Sequence, residues 1–336
     1  MGRRMKAWMA GLALTAVAAL PAAESRDYSV FDMVGDSISA GVNPGCGTYG
    51  WGHMLFGQLA CGQAATDETL TNLWPDVAAH NGAVSGSTAR DWAWARPEYL
   101  QAVSNRHPDL VVVFIGGNDG LLYAADGVYT EAEREEFRTH LVAILQQLRA
   151  NSPAPDVVVA NYYDLFDGFS ANLPDPFAAY RGLSSAVAVG NDIIADVAAS
   201  QNCFLVDVHA AFLHHGYGAE LGDAGHLAPD YVRTPLSAFD IHPVTAGHDA
   251  IRRAVFARLA ELREIPKLLA PSGTAGQVVL RWSGSIGQNY VVQRAVGVTN
   301  AYADVATNAG APPVNVCTDA LPAATDVFYF YRVRVE

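Results

Sequence analysis

The run Leu110-Val-Val-Val-Phe-Ile115 constrains the fold of this chain more than any other segment. Six consecutive apolar residues, most of them β-branched or aromatic, predict a strand that is buried on both faces of a sheet. Residues 131–150 carry apolar side chains at helical spacing and predict an amphipathic helix packed on such a sheet. Apolar runs that predict strands alternate with segments that predict helices along residues 28–263. The sequence therefore predicts an α/β domain of three layers, with helices on both faces of a parallel sheet.

The other predicted elements follow the same alternation. Strands are predicted at residues 28–33, 77–84, 156–162 and 203–206. Helices are predicted at residues 48–58, 89–103, 177–200 and 245–263. The composition agrees with a large buried core, because 51% of the residues are hydrophobic and only 16% are charged.

Four short blocks of small and polar residues follow predicted strands or precede the last predicted helix. They are Gly35-Asp36-Ser37-Ile38, Asn81 to Ser87, Gly116-Gly117-Asn118-Asp119 and Asp240-Ile241-His242-Pro243. Ligands of open α/β sheets bind at the carboxyl ends of the strands, so we expect the blocks to converge on one crevice.

The residue types in these blocks suit acyl transfer to a serine. The Ser37 hydroxyl would be a weak nucleophile unless a base lay within hydrogen-bond reach, and His242 is the natural base. Acyl transfer also builds an oxyanion, which needs preorganised N–H donors. The candidates are the backbone N–H groups of Ser37 and Gly86 and the side-chain amide of Asn118.

The order and spacing of the four blocks resemble the SGNH (GDSL-type) esterase/lipase family over roughly residues 28–263. That family is named after a Ser, a Gly, an Asn and a His, which match Ser37, Gly86, Asn118 and His242. The resemblance implies a flavodoxin-like, three-layer sheet and a serine esterase that forms an acyl-enzyme on Ser37.

The chain departs from the family pattern at one position. The family usually has an Asp three residues before the catalytic His, and that Asp orients the imidazole. Phe239 stands at this position here, and Asp240 is one residue closer to His242. We expect Asp240 to be the third catalytic residue, with a backbone carbonyl or a water as the alternative.

No cofactor and no metal are expected. The sequence lacks a phosphate-binding loop, a dinucleotide fingerprint and a helical His-Glu-x-x-His spacing. His209, His214, His215 and His226 cluster in one irregular region and are interpreted as structural. The triplet Gly190-Asn191-Asp192 repeats letters of the third block inside a predicted helix and is interpreted as a coincidence.

Residues 1–23 resemble a secretory signal peptide, with Arg3, Arg4 and Lys6 before the apolar segment 7–20. We expect a secreted or periplasmic protein after cleavage; an uncleaved anchor is the alternative. Residues 24–266 carry 13 basic and 30 acidic side chains. This excess of negative charge argues against nucleic acid or an anionic lipid surface as a partner. No stable membrane insertion is expected after cleavage.

Four cysteines remain, Cys46, Cys61, Cys203 and Cys317, without a Cys-x-x-Cys motif. In an exported protein a Cys46–Cys61 disulfide is plausible, because both residues flank one short segment. Free buried thiols are an equal alternative.

The pattern changes after residue 264. Residues 265–276 contain Pro, Gly and Ser and predict a linker between a catalytic domain at 24–264 and a module at 277–336. Within that module, residues 277–282, 289–296 and 327–335 predict strands of a small all-β, sandwich-like unit. Its final strand resembles the closing strand of a fibronectin type III sandwich.

We expect a secreted serine esterase that removes acyl groups, and O-acetyl groups of carbohydrates in particular. The β module on an exported esterase suggests that substrate by analogy, with polysaccharide contact by the module. One alternative is a lipase or lysophospholipase with an aromatic acyl groove. The residues that would line the groove, or else belong to the core, are Trp92, Trp94, Tyr162, Tyr163, Phe166 and Phe169. Another alternative is a catalytically inactive binding or adhesion protein on the same scaffold.

Overall fold

The computed structural model describes residues 28–59, 61, 65–124, 129–151, 153–264, 272–274, 277–283, 289–296, 302–309, 314–321 and 329–335. The predicted signal peptide and most of the predicted linker lie outside these residues. The chain divides into two compact units, one at Tyr28–Leu262 and one that includes Arg263 and the residues after it. Among the described helices, none has the length and apolar character needed to cross a bilayer.

The strands of the larger unit are β1 (Val30–Gly35), β2 (Val42–Asn43), β3 (Gly47–Thr48), β4 (Ala78–Ala79), β5 (Leu110–Phe114), β6 (Asp156–Ala160) and β7 (Phe204–Val206). Its α-helices are α1 (Ser37–Ala40), α2 (Trp51–Leu55), α3 (Leu70–Leu73), α4 (Pro97–Ser104), α5 (Gly117–Ala124), α6 (Glu131–Arg149), α7 (Leu183–Ser200), α8 (Val208–Phe212), α9 (Gly218–Leu221) and α10 (Thr245–Glu264).

Five of the described strands form a parallel sheet in the order β4-β1-β5-β6-β7. This is the flavodoxin-like order, in which the direction of chain progression reverses between β1 and β5. Every residue of β5 is buried, as its apolar run predicted. The three-layer α/β/α fold class is therefore confirmed.

Helix α6 shows how local sequence and core packing agree. Thr130 caps its first turn, because the Thr130 hydroxyl accepts from the N–H of Glu133 while the Glu133 carboxylate accepts from the N–H of Thr130. Its buried face carries Phe137, His140, Leu141, Ile144, Leu145 and Leu148. Such an apolar stripe ties the helix to the sheet.

Several elements are shorter than predicted. The helix predicted at 89–103 is divided, because Pro97 ends a π-helical turn at Asp91–Ala95 and starts α4. The strand predicted at 77–84 pairs only at Ala78 and Ala79. The helix predicted at 177–200 begins at Leu183, after a 3₁₀ segment at Asp175–Tyr180.

The second unit contains two antiparallel sheets of described strands. They are built from β8 (Ser272–Thr274), β9 (Gln277–Ser283), β10 (Asn289–Val296), β11 (Ala303–Ala309), β12 (Val314–Ala320) and β13 (Tyr329–Val335), in the orders β11-β10-β13 and β12-β9-β8. Leu280, Trp282, Tyr290, Val292 and Cys317, from both sheets, share one core. The predicted small all-β module is confirmed, but its first described strand, β8, lies inside the segment 265–276 that was predicted as a linker and pairs with β9. The likeness to fibronectin type III stays a prediction.

Candidate active site

The first three blocks meet where the sheet order reverses. Chain segments leave β1 and β5 side by side at this point, and the segment after β4 joins them through hydrogen bonds. The carbonyl oxygen of Gly35 accepts from the N–H of Val84 at 2.9 Å and from Oγ of Ser87 at 3.2 Å. The amide of Asn118 donates to the carbonyl of Ser87 at 2.8 Å. The second block therefore bridges the first and the third.

Ser37 lies at the start of α1, directly after β1. The carboxylate of Asp36 accepts from the N–H of Ile38 at 3.0 Å and so caps this short helix. Gly41 ends the helix one turn later with a positive φ of 93°. The strand and the two caps fix the position of the Ser37 side chain at the carboxyl edge of the sheet.

The structure brings Ser37, His242 and Asp240 together. Oγ of Ser37 lies 3.0 Å from Nε2 of His242, and Nδ1 of His242 lies 2.7 Å from Oδ1 of Asp240. The same Oδ1 accepts from the backbone N–H of His242 at 2.9 Å. With a proton on Nδ1, Nε2 is free to accept the Ser37 hydroxyl, which is the arrangement that a serine nucleophile needs.

The packing around Phe239 accounts for the position of the carboxylate beside His242. The carboxylate comes from Asp240, whereas the family usually has it one residue earlier in the chain. The ring of Phe239 packs among the rings of Phe166, Phe177, Tyr180 and Tyr217. This aromatic cluster holds the residue that occupies the usual Asp position. The next residue, Asp240, then places its carboxylate beside the imidazole.

Two tyrosine hydroxyls hold the segment that carries His242. Tyr217 is fully buried; its hydroxyl donates to the carbonyl of Arg233 at 2.8 Å and accepts from the N–H of Asp240 at 3.2 Å. The hydroxyl of Tyr163 donates to the carbonyl of Ile241 at 3.0 Å. Sequence reasoning missed both contacts, because they join residues far apart in the chain.

Gly86 and Asn118 have the properties required of oxyanion donors. Gly86 is exposed and has a φ of 80°, a conformation that favours glycine. Among the described residues its N–H donates to no other group of the protein. One N–H of the Asn118 side chain binds the carbonyl of Ser87, which fixes the amide and leaves its second N–H available.

A buried carboxylate lies directly behind Ser37. The hydroxyl of Tyr162 donates to Oδ2 of Asp36 at 2.5 Å, and both side chains are buried. Burial raises the pKa of Asp36 to about 6, although its hydrogen bonds and His242 lower it in part. Burial also raises the pKa of Asp119 to about 6; its carboxylate accepts from the N–H of Ala89 at 2.9 Å.

Tyr162 and Tyr163 line a cavity beside Ser37 and Asn118. They are two of the six aromatic residues that were candidates for an acyl groove. The other four lie elsewhere: Trp92 and Phe166 in the core, Phe169 against the core, and Trp94 at the surface in a T-shaped contact with His140.

Three of the clustered histidines have partners inside their own loop. His214 lies 2.8 Å from Asp223, His226 lies 3.0 Å from Asp230, and Nδ1 of His215 lies 2.9 Å from the carbonyl of Pro229. Within the described ranges, no group of three or more His, Cys, Asp or Glu side chains could hold a metal ion.

The chain is similar to several solved structures. One is an alpha/beta hydrolase enzyme from the metagenome of Lake Arreo, Spain, at 22% identity, with 69% of this chain and 95% of that chain covered and a TM-score of 0.47. Another is an acetylxylan esterase from Geobacillus stearothermophilus, at 22% identity, with 70% and 95% covered and a TM-score of 0.46. Among curated proteins, none matches this chain.

Residues 33–250 match the GDSL-like Lipase/Acylhydrolase family. The match spans well over half of the chain and contains all four blocks. The chain therefore belongs to the GDSL-like lipase/acylhydrolase family and is a hydrolase that acts on ester bonds.

Proposed function

We propose that this hydrolase cleaves carboxylic esters through an acyl-enzyme on Ser37. The observation that carries the proposal is the unbroken line of hydrogen bonds from Asp240 through His242 to Ser37, at 2.7 and 3.0 Å. Both distances lie within the range in which a base activates a nucleophile and a carboxylate orients the base.

Acylation begins when Nε2 of His242 takes the proton of the Ser37 hydroxyl. The Ser37 oxygen bonds to the ester carbonyl carbon, and the carbonyl oxygen becomes an oxyanion. His242 then gives its proton to the leaving alkoxide as the carbon–oxygen bond to the alcohol breaks. A water repeats the sequence at the acyl-enzyme, and Ser37 regains its proton from His242.

The oxyanion would be held by the backbone N–H groups of Ser37 and Gly86 and the side-chain amide of Asn118. These donors lie on three segments that the structure ties together, so they need little reorganisation during the reaction. Loss of one such donor usually costs roughly 2.7–4 kcal/mol of transition-state stabilisation. We expect a loss of that size for Asn118→Ala.

Two substrate classes follow from different parts of the chain. O-acetyl groups on carbohydrates are the expectation from the sequence, by analogy with exported esterases that carry an accessory β module, which would contact the polysaccharide. Esters with longer acyl chains, as in lipids, are the second candidate. The apolar cavity beside Ser37 favours an acyl group longer than acetyl, because an acetyl group would leave it unfilled.

We also propose that the protein acts outside the cytoplasm. Residues 1–23 have the pattern of a signal peptide. The structure joins Cys46 and Cys61 in a disulfide, and such bonds persist mainly in oxidising compartments.

Labelling with a fluorophosphonate tests the reaction. The wild-type protein should react at Ser37 and hydrolyse p-nitrophenyl esters, whereas Ser37→Ala should do neither. Ser185→Ala, at an exposed position on α7, is the matched control and should behave as wild type. Turnover by a folded Ser37→Ala protein would contradict the proposal. A wild-type protein that resists the label would support the binding or adhesion alternative.

A panel that includes acetylated xylan and p-nitrophenyl esters from acetate to palmitate would separate the two substrate classes.

A further inference from the structure

A cavity of about 60 Å³ lies beside Ser37, between helices α5 and α7. At one end it meets Ser37 and Asn118. Much of the remaining wall is apolar and comes from α5, α6, α7 and the segment before His242. These apolar lining residues include Leu121, Phe137, Leu183, Val187, Ile194 and Ile241.

Two glycines on facing helices leave this space open. Gly120 on α5 and Gly190 on α7 both line the cavity, and a Cβ atom added at either would meet no atom within 4 Å. By contrast, a Cβ atom at Gly35 would lie 2.5 Å from the Ser39 side chain. Glycine is a weak helix former, so local helix stability does not explain the two residues.

Two residues of the triplet at 190–192, Gly190 and Asn191, line the cavity, although the likeness of the triplet to the third block was interpreted as a coincidence. Gly190 lines the cavity, and the next residue, Asn191, fixes Tyr162 in its wall. Oδ1 of Asn191 accepts from the N–H of Tyr162 at 2.8 Å, and its amide donates to the Tyr162 carbonyl at 2.7 Å.

We propose that this cavity binds the acyl chain of a short-chain ester, of about butyryl length. The inference rests on the proposed function. In the tetrahedral intermediate the reacting carbon carries the Ser37 oxygen, the oxyanion, the leaving oxygen and the acyl chain. The oxyanion faces its N–H donors, and the leaving oxygen faces His242, which protonates it. The cavity offers the acyl chain an apolar space that begins at Ser37.

The size of the cavity limits the length of that chain. An apolar cavity of about 150 Å³ holds benzene, and this one is well under half that volume. It suits a chain of a few carbons. An acetyl group would leave most of it unfilled, and a palmitoyl chain would extend far beyond it.

The first test compares kcat/KM of the full-length protein on p-nitrophenyl acetate, butyrate, hexanoate, octanoate and palmitate. A buried methylene corresponds to about a fourfold gain. The two extra methylenes of butyrate should therefore raise kcat/KM about fifteenfold over acetate, and palmitate should be a poor substrate. A preference for acetate or for palmitate would overturn the inference.

The second test fills the cavity from its glycine side. Gly190→Leu should bring the butyrate-to-acetate ratio of kcat/KM close to one, and Gly190→Ala, which adds a single methyl group, should give an intermediate ratio. Ala188→Leu places the same side chain at an exposed position of α7 and should keep the wild-type ratio.

An unchanged ratio in folded Gly190→Leu and Gly190→Ala proteins would overturn the inference while leaving the proposed function intact. Failure of the wild-type protein to cleave any ester of the panel would overturn the proposed function itself, and the inference with it.

Discussion

The carboxylate of Asp240 contacts His242 at two points. Its Oδ1 atom lies 2.7 Å from Nδ1 of the imidazole and 2.9 Å from the backbone nitrogen of the same residue. A side chain that binds the backbone two residues ahead forms a compact turn. An Asp two residues before the His therefore places an acceptor at Nδ1 of the imidazole, as the family usually does with an Asp three residues before it.

Asp240→Asn tests whether this contact is catalytic. The amide can present an N–H to Nδ1 and so favour the wrong imidazole tautomer, which in other triads lowers kcat by up to ~10⁴-fold. We expect kcat of Asp240→Asn on p-nitrophenyl esters to fall by close to that factor, with KM little changed. Asp175→Asn, whose side chain is almost fully exposed, is the control. Near-normal kcat in a folded Asp240→Asn protein would assign the orientation of His242 to another group.

Tyr217→Phe tests how the segment around Asp240 is held. The substitution leaves the carbonyl of Arg233 and the N–H of Asp240 without their buried partner, at a cost of roughly 1–3 kcal/mol. Because the second of these groups belongs to Asp240, the proposed orienter of His242, we expect kcat to fall about tenfold with KM little changed.

Tyr28→Phe is the matched control for Tyr217→Phe. Its hydroxyl donates to Asp156 at 2.5 Å, at the amino ends of β1 and β6 and therefore away from the site. It should lower stability without a change in kcat. Equal kcat in the two variants would show that Tyr217 acts on stability alone.

The candidate site residues that the sequence pointed to lie in short blocks with a fixed order. Ser37, Gly86, Asn118 and His242 could be proposed because each follows or precedes a recognisable element. Asp240 stayed open, since no local pattern states which way a side chain points on an irregular loop.

The groups that sequence reasoning missed act over long separations. The hydrogen bond between Tyr162 and Asp36 spans 126 positions, and its geometry depends on the completed sheet. The strands β11 and β12 were missed for another reason. They are rich in Ala, Asp, Asn and Thr, and each lies at the edge of its sheet, where little apolar patterning is needed.

The disulfide gives a prediction about cysteine chemistry. Protein produced with residues 1–23 and exported should show two alkylated cysteines when unfolded without reductant, and four with it. The two are Cys203 and Cys317. Because Cys46 and Cys61 are 15 positions apart, replacing both with Ser should lower the free energy of unfolding by about 3 kcal/mol. Four alkylated cysteines without reductant would contradict the disulfide and weaken the case for export.

Asp36→Asn should change how stability depends on pH. The pKa of Asp36 rises from 3.8 to about 6 on folding, mainly through burial. The folded state thus holds a proton that the unfolded state has released, and the free energy of unfolding falls as pH rises from about 4 to about 6. Across this range the free energy of unfolding should fall by on the order of 3 kcal/mol.

The side-chain oxygen of the amide in Asp36→Asn can still accept from the N–H of Ile38, so the helix cap is kept. Denaturation in urea at a series of pH values should show the variant gaining stability over wild type across that window. A constant difference would mean that Asp36 titrates alike in both states. The exposed substitution Asp175→Asn again serves as the control.

Titration of His248 should change the free energy of unfolding in the opposite direction to titration of Asp36, over nearly the same pH range. It is fully buried; its Nδ1 accepts from the N–H of Trp51 at 3.3 Å and its Nε2 donates to the carbonyl of Val42 at 3.0 Å. This pairing needs a neutral ring, and burial lowers the pKa of His248 from 6.5 to about 4. The contribution of neutral His248 to the free energy of unfolding is present above pH 6.5 and is lost as pH falls towards 4, because the unfolded state takes up the proton first.

His248→Gln keeps one acceptor and one donor but cannot take up the proton. Its stability relative to wild type should therefore rise by on the order of 3 kcal/mol as pH falls from about 7 to about 4. The exposed His107→Gln should show no such trend. Asp36→Asn should gain on wild type as pH rises and His248→Gln as pH falls, so the same urea series compares both. If the two variants followed the same trend, His248 would not be held neutral by the contacts that the structure shows.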